Sequence, residues 1–232
     1  MEKLIMMKFI KPISLLLNLF LIALILFLLF LELFHTRPYS IDFEKLAQSR
    51  IERIMNASPN DVNIVMLGNS ITEMAGDWNP RLDRDDVRNS GQGGYTTGQM
   101  IWFLDTCVVK AKPSLCFTLG GINDLSLGIS IDQIYANYTY ILGKLKKAGI
   151  KPIVQSTLYQ RGNSEGNGNV DELNERLLEF CRVNDIDYID LNSFLSDENG
   201  LMDEYTTDGT HLTESGYGIW SGKLRDYLSH EL

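Results

Sequence analysis

Near the carboxyl end the chain reads TTDGTHL, Thr206 to Leu212, with Asp208 three residues before His211. An imidazole is the usual base for activating a serine hydroxyl. A carboxylate on its far ring nitrogen fixes the tautomer that can take the proton. Gly209 lets the backbone fold so that the carboxylate turns back to the ring. A D-x-x-H pattern is common on protein surfaces, so elimination carries the weight. The chain has three histidines. His35 borders a long apolar run and His230 is third from the end, which leaves His211 as the candidate base.

Three upstream stretches could supply what such a base needs. Gly68-Asn69-Ser70 ends the apolar run VNIVMLG (62–68). A tight strand-to-helix turn there exposes a hydroxyl where helix N–H groups face developing negative charge. The same residues also read as an ordinary helix cap. In NSGQGGYTT (89–97), Gly91, Gly93 and Gly94 permit positive φ and close backbone approach, so the loop can aim an N–H at an anion. Glycines crowd ordinary turns as well. In GGINDL (120–125), Asn123 offers a side-chain amide, although an Asn-Asp pair also forms a self-capping turn.

The elements that must position these groups alternate. Buried strands are expected at 62–68, 86–91, 114–121, 151–159 and 186–191. Helices are expected at 96–112, 130–149, 170–185 and 213–232, with Ser130 and Gly149 suited to begin and end the second. RGNSEGNGN (161–169) reads as a mobile loop. This alternation predicts a three-layer, doubly wound α/β sandwich around a parallel sheet of about five strands, flavodoxin-like. In such sheets ligands bind beyond the carboxyl ends of the strands. The first three stretches follow strands one to three, and the fourth precedes the last helix.

Together the four stretches resemble the SGNH hydrolases, also called GDSL-type esterases. That family's blocks read G-D-S, N-x-G-x-G-G-x-T, G-x-N-D and D-x-x-H, in that order. This chain has Gly68-Asn69-Ser70, then Asn89 with Gly91, Gly93, Gly94 and Thr96, then Gly121-Ile122-Asn123-Asp124, then Asp208 with His211. The resemblance spans roughly 60–230. It implies that Ser70 is the nucleophile, His211 the general base and Asp208 its orienting acid. It implies oxyanion donors at the Ser70 N–H, the Gly94 N–H and the Asn123 amide. Gly94 is chosen because the family's donor is the last glycine before x-T. Neither metal nor cofactor is required by that chemistry. Asn69 replaces the namesake aspartate, which keeps local hydrogen bonds and loses a charge.

The N-terminus is of another kind. Residues 13–31, ISLLLNLFLIALILFLLFL, carry no charge and match a bilayer-spanning helix in length. The run is longer than the apolar core of a cleaved signal, and no small-residue cleavage site follows. Lys3, Lys8 and Lys11 precede it, so the remainder is expected outside the membrane. The expected organisation is an anchor (1–37), an amphipathic linker helix (38–60) and a hydrolase domain (61–232). Beyond Arg37 there are 17 basic against 28 acidic residues, a net −11 that disfavours nucleic acid and anionic surfaces. Cys107, Cys116 and Cys181 fall in apolar patterns and read as small buried hydrophobes.

The expected activity is that of a membrane-anchored extracytoplasmic serine esterase, foremost a carbohydrate O-acetylesterase. Trp78, Tyr95 and Tyr159 are candidate sugar-stacking aromatics, and core packing is their alternative. A lysophospholipase or thioesterase, and a non-catalytic glycan-binding module, are the competing readings.

Overall fold

In the computed structural model, which describes residues 22–28 and 43–231, the chain falls into two compact units, Met1–Ala47 and Gln48–Leu232. A helical stretch covers 22–28 (α1), and helix α2 spans Phe43–Asn56. The rest of the expected membrane span lies outside the described residues. Among those described, no helix is long and apolar enough to cross a membrane.

Five strands form one parallel sheet: β1 (Ile64–Gly68), β2 (Val87–Gly91), β3 (Leu115–Leu119), β4 (Lys151–Gln155) and β5 (Asp187–Ile189). Their order is β2-β1-β3-β4-β5, as a flavodoxin-like winding requires. Between β1 and β2 lie α3 (Ser70–Met74) and α4 (Asn79–Leu82). Between β2 and β3 lies α5 (Thr97–Phe103), and between β3 and β4 lie α6 (Ile122–Ser126) and α7 (Ile131–Lys147). Helix α8 (Ser164–Asn184) leads into β5. After β5 come α9 (Asn192–Leu195), a small β6–β7 hairpin (Ser196–Asp197, Gly200–Leu201) and α10 (Glu214–Glu231).

Period two explains the layers. On β1, Ile64 and Met66 face α4 and α10, among Trp78, Leu82, Trp220 and Leu224. Val65 and Leu67 face the opposite layer, among Met100, Leu104, Ile141 and Leu145. Both faces are covered, so the strand is apolar throughout. A third cluster joins Val154 on β4 to Tyr138 and Leu142 of α7 and to Leu173 and Leu177 of α8.

The register aligns the chemistry. Gly68 pairs with Gly91 on one side and Leu119 on the other. The residues that follow β1, β2 and β3 therefore emerge at one level of the carboxyl edge. The chain reverses its winding direction between β1 and β3, which is where open α/β sheets form their crevice.

Three expected boundaries shift. Strand β4 stops at Gln155 rather than running to 159. Ser156 N–H still donates to Ile189 O at 3.0 Å, but beyond it asparagine side chains take over: Thr157 donates to Asn174 at 2.8 Å, Tyr159 to Asn192 at 3.1 Å and Gln160 to Asn167 at 2.8 Å. The stretch 161–169 is not a loop but largely the first turns of α8. Asn163 caps it by accepting from Gly166 N–H at 3.0 Å, and Asn167 bonds the Gln160 backbone in both directions. Each interior glycine costs a helix about 1 kcal/mol, and these amide bonds offset that cost. The helix expected over 96–112 keeps its Thr96 capping box but passes into a π turn at Leu104–Val108. There the buried Arg88 and Ser90 of β2 donate to the Cys107 carbonyl, at 3.1 and 3.3 Å, and draw it from the helical ladder.

Candidate active site

Ser70 opens α3 directly after β1. The turn is possible because residue 68 is glycine: a Cβ there would sit 2.1 Å from Thr72 Oγ1 and 2.8 Å from the Leu119 carbonyl. Gly91 serves the same end from β2, since its Cβ would lie 2.3 Å from Glu73 N. The elbow is thus wedged between two strand ends. Asn69 caps α3 by accepting from Ile71 N–H at 3.0 Å. Its Nδ2 is buried and finds no partner among the described residues, whereas an aspartate would leave no donor unpaired there. Asn89 holds the other end of the short helix. Its Nδ2 donates to the carbonyls of Thr72, Glu73 and Gly76, at 3.1, 3.2 and 2.7 Å. Behind the helix, the buried Tyr217 hydroxyl of α10 donates to Ile71 O at 2.7 Å.

His211 meets Ser70 across 141 positions, with Oγ and Nε2 2.9 Å apart. On its far side, Nδ1 lies 2.7 Å from Asp208 Oδ2. A carboxylate can only accept, so Nδ1 carries the proton and Nε2 is free to accept from the serine. The other carboxylate oxygen accepts from the N–H groups of Thr210 and His211, at 2.9 and 2.8 Å. The His211 backbone N–H comes first, the imidazole N–H second and the Thr210 N–H third in holding the Asp208 carboxyl down at about 2. Gly209 sits at φ +85°, which lets the loop close on itself.

The loop has supports that the sequence reading missed. Thr206 Oγ1 donates to His211 O at 2.8 Å and accepts from Gly209 N–H at 3.0 Å. Arg161 N–H donates to Gly209 O at 2.8 Å, and Gln160 Nε2 donates to Thr210 Oγ1 at 2.9 Å. The Arg161 guanidinium bridges Asp197 and Asp203. Gln160 and Arg161 stand just past β4, a position that marks a functional segment in this sheet type. The glycine-rich residues beyond them hid that signal.

Gly94 lies in an exposed turn at φ +76°, a conformation that any side chain would strain. Asn123 sits at the N-terminus of α6. One of its amide hydrogens is held by the Tyr95 carbonyl, at 2.8 Å, which leaves the second to donate elsewhere. Asp124 is fully buried and accepts from the Thr97 N–H at 2.9 Å and hydroxyl at 2.6 Å. Burial raises its pKa, and the Thr97 bonds oppose the rise. Asn123 and Asp124 together staple the loop after β2 to the end of β3.

Two of the three aromatic candidates are removed. Trp78 is 0% exposed, donates from Nε1 to Thr72 O at 3.3 Å and packs edge-on against Trp220. Tyr95 is 7% exposed, with its ring 5.0 Å from that of Phe103. Neither offers a face to a sugar. Both are apolar enough to complete the core beside the elbow, and that decides their place. Tyr159 is half-buried and bonds through its hydroxyl to Asp171.

Comparison with known proteins agrees with this geometry. The sequence model of the GDSL-like lipase/acylhydrolase family matches residues 66–219. Over 150 residues the chain is 31% identical to the N-acylneuraminate cytidylyltransferase of Streptococcus agalactiae serotype III, covering 63% of this chain and 36% of that one. It therefore spans about a third of that relative's length. Among solved structures, a GDSL-like lipase from Bacteroides thetaiotaomicron superposes with a TM-score of 0.69 at 22% identity, over 82% of this chain and 98% of that one. The acetyl xylan esterase AlAXEase gives 0.63 at 20% identity, over 71% and 98%. At these identities the structural likenesses show the fold.

Proposed function

Given that the chain belongs to the GDSL-like lipase/acylhydrolase family and is thereby an ester-hydrolysing enzyme, we propose that it is a serine hydrolase working through an acyl-enzyme, with acetylated carbohydrate as its substrate. The observation that carries this reading is the continuous chain from Ser70 Oγ to His211 to Asp208, at 2.9 and 2.7 Å.

His211 Nε2 takes the hydroxyl proton as Ser70 Oγ attacks the ester carbonyl. The Ser70 and Gly94 N–H groups and the free Asn123 hydrogen receive the oxyanion; each such donor is worth ~3 kcal/mol of barrier. Asp208 keeps the imidazole oriented and stabilises its charged form. The protonated His211 gives its proton to the departing alcohol. Water then attacks the acyl-serine with His211 again as base; the acyl–Oγ bond breaks, the carboxylic acid leaves, and His211 returns the proton to Ser70 Oγ.

Carbohydrate is favoured because a fold neighbour is an acetyl xylan esterase and a sequence relative is named for an acylated sugar acid. The cytidylyl transfer in that relative's name is not carried over, since the chain matches only a third of it. The uncharged run 13–31, preceded by Lys3, Lys8 and Lys11, supports an anchored enzyme with its catalytic unit outside the membrane. That run also sustains the competing reading of longer acyl esters, as in a lysophospholipase or thioesterase.

Purified protein should hydrolyse p-nitrophenyl acetate and release acetate from acetylated xylo-oligosaccharides. Ser70→Ala should remove both activities and labelling by a fluorophosphonate. Undiminished turnover in that variant would falsify the serine mechanism. A rate that climbs with acyl chain length would replace the sugar ester by a lipid or thioester substrate.

A further inference from the structure

Helix α2 lies outside all four sequence blocks, yet it touches the loop that carries Gly94. The Arg50 guanidinium lies 4.9 Å from the centre of the Tyr95 ring. One turn on, Arg53 donates to Gln92 Oε1 at 3.1 Å and pairs with Glu73. Glu73 in turn packs on the same loop: a Cβ on Gly93 would stand 2.9 Å from its carboxylate. Two arginines thus grip Gln92 and Tyr95, the two ends of the turn that contains Gly94. The turn's own closure is a long bond, Tyr95 N–H to Gln92 O at 3.2 Å. The same Tyr95 carbonyl accepts from Asn123 Nδ2 at 2.8 Å. Any shift of Tyr95 therefore displaces Gly94 and Asn123 together.

We infer that Arg50 and Arg53 are positioning residues for the oxyanion hole: they clamp the Gln92–Tyr95 turn and through it set the Gly94 N–H and the Asn123 amide. This rests on the reading of Gly94 and Asn123 as oxyanion donors. A positively charged face is a suitable grip. A guanidinium over an aromatic face is attracted without needing one fixed hydrogen-bond angle, and a planar fork can serve an amide and a carboxylate at once. The Arg53 side chain is 57% exposed, so its removal leaves no buried hole. Its bonds to Gln92 and Glu73 hold the loop in place and contribute little to the stability of the fold.

The test uses the full chain and p-nitrophenyl acetate. Arg50→Ala with Arg53→Ala should lower kcat by about 10- to 100-fold, the scale of misplacing a reacting group by ~1 Å. KM should stay within about twofold, because the donors act on the transition state. Arg50→Lys should recover part of the loss, since an ammonium still lies over the ring. In an Asn123→Ala background the arginine pair should cost less than in the parent, as expected of groups acting through one donor set. Native kcat in the double-alanine protein, or full additivity with Asn123→Ala, overturns the clamp. An Asn123→Ala protein with parental kcat overturns instead the donor assignment beneath it. Arg182→Ala serves as control, because Arg182 is an exposed helix residue paired only with Glu179 among the contacts described; a matching kcat loss there would reduce the effect to surface charge and overturn the clamp too.

Discussion

At the scale of single residues, the site depends on where one proton sits. Asp208 is ionised down to about pH 2, because two backbone N–H groups and the imidazole N–H all favour its charged form. A depressed carboxyl contributes stability that is fully present above its unfolded value near 4 and is lost as pH falls towards 2. Asp208→Asn should therefore flatten the acid limb of the stability profile between about pH 4 and 2, measured by urea unfolding at stepped pH. The side chain is 52% exposed, so the change will be modest. Catalysis will respond far more. An amide presents the wrong partner to Nδ1–H or turns its own N–H towards it, and kcat should fall by ~10³-fold or more. Parental kcat in that variant would remove Asp208 from the mechanism. The residue scale is also where the sequence pointed most directly to a contact. Counting histidines isolated His211, and the structure sets it between Ser70 and Asp208. It failed where identity says little about surroundings. Trp78 and Tyr95 have faces fit for sugar, and only packing shows that those faces are occupied.

At the scale of elements, glycines divide into those that are required and those that are tolerated. Gly91 is required: its Cβ would strike the Glu73 backbone at 2.3 Å, so α3 would have to move and carry Ser70 with it. Gly91→Ala should cost about 1–3 kcal/mol and most of the activity, read as a lower urea midpoint and a lower kcat. Gly143 is tolerated. It is exposed inside α7 with open space around its Cβ position, so Gly143→Ala should raise stability by about 0.5–1 kcal/mol with kcat unchanged. A lower midpoint for Gly143→Ala would contradict that reading of α7. Element existence was legible because β1 is a short continuous apolar run and α7 carries helical spacing with clear caps. The boundaries of β4 and α8 were not. Asn174, Asn192 and Asn167 capture backbone N–H groups from 7 to 33 residues away, and no local pattern announces such a bond.

At the largest scale, the three-layer packing of the Gln48–Leu232 unit shields its thiols. Cys107, Cys116 and Cys181 are all free and buried. Burial pushes the Cys107 thiol up to about 11 and Cys181 to about 12, and moves Cys116 in the same direction. The thiolate is the reactive form, so these thiols should be inert in the native fold. Ellman's reagent should titrate none of them in native protein and all three in guanidinium. Rapid labelling of one thiol in native buffer would show that a layer opens readily.

The sequence by itself determined the class of fold and the order of the four blocks, and it singled out Ser70, His211 and Asp208, which the fold brings within hydrogen-bond distance. Short apolar runs alternating with helical spacing are written locally, and elimination among three histidines leaves His211 as the candidate base. Tertiary structure alone decided which donors are held and by what. The grip of Arg50 and Arg53 on the Gln92–Tyr95 turn, the support of the Asp208 loop by Gln160 and Arg161, and the interment of Trp78 join residues far apart in the chain. Those pairings depend on the β2-β1-β3-β4-β5 winding, which brings the strand ends to one edge, and no periodicity within a segment encodes it.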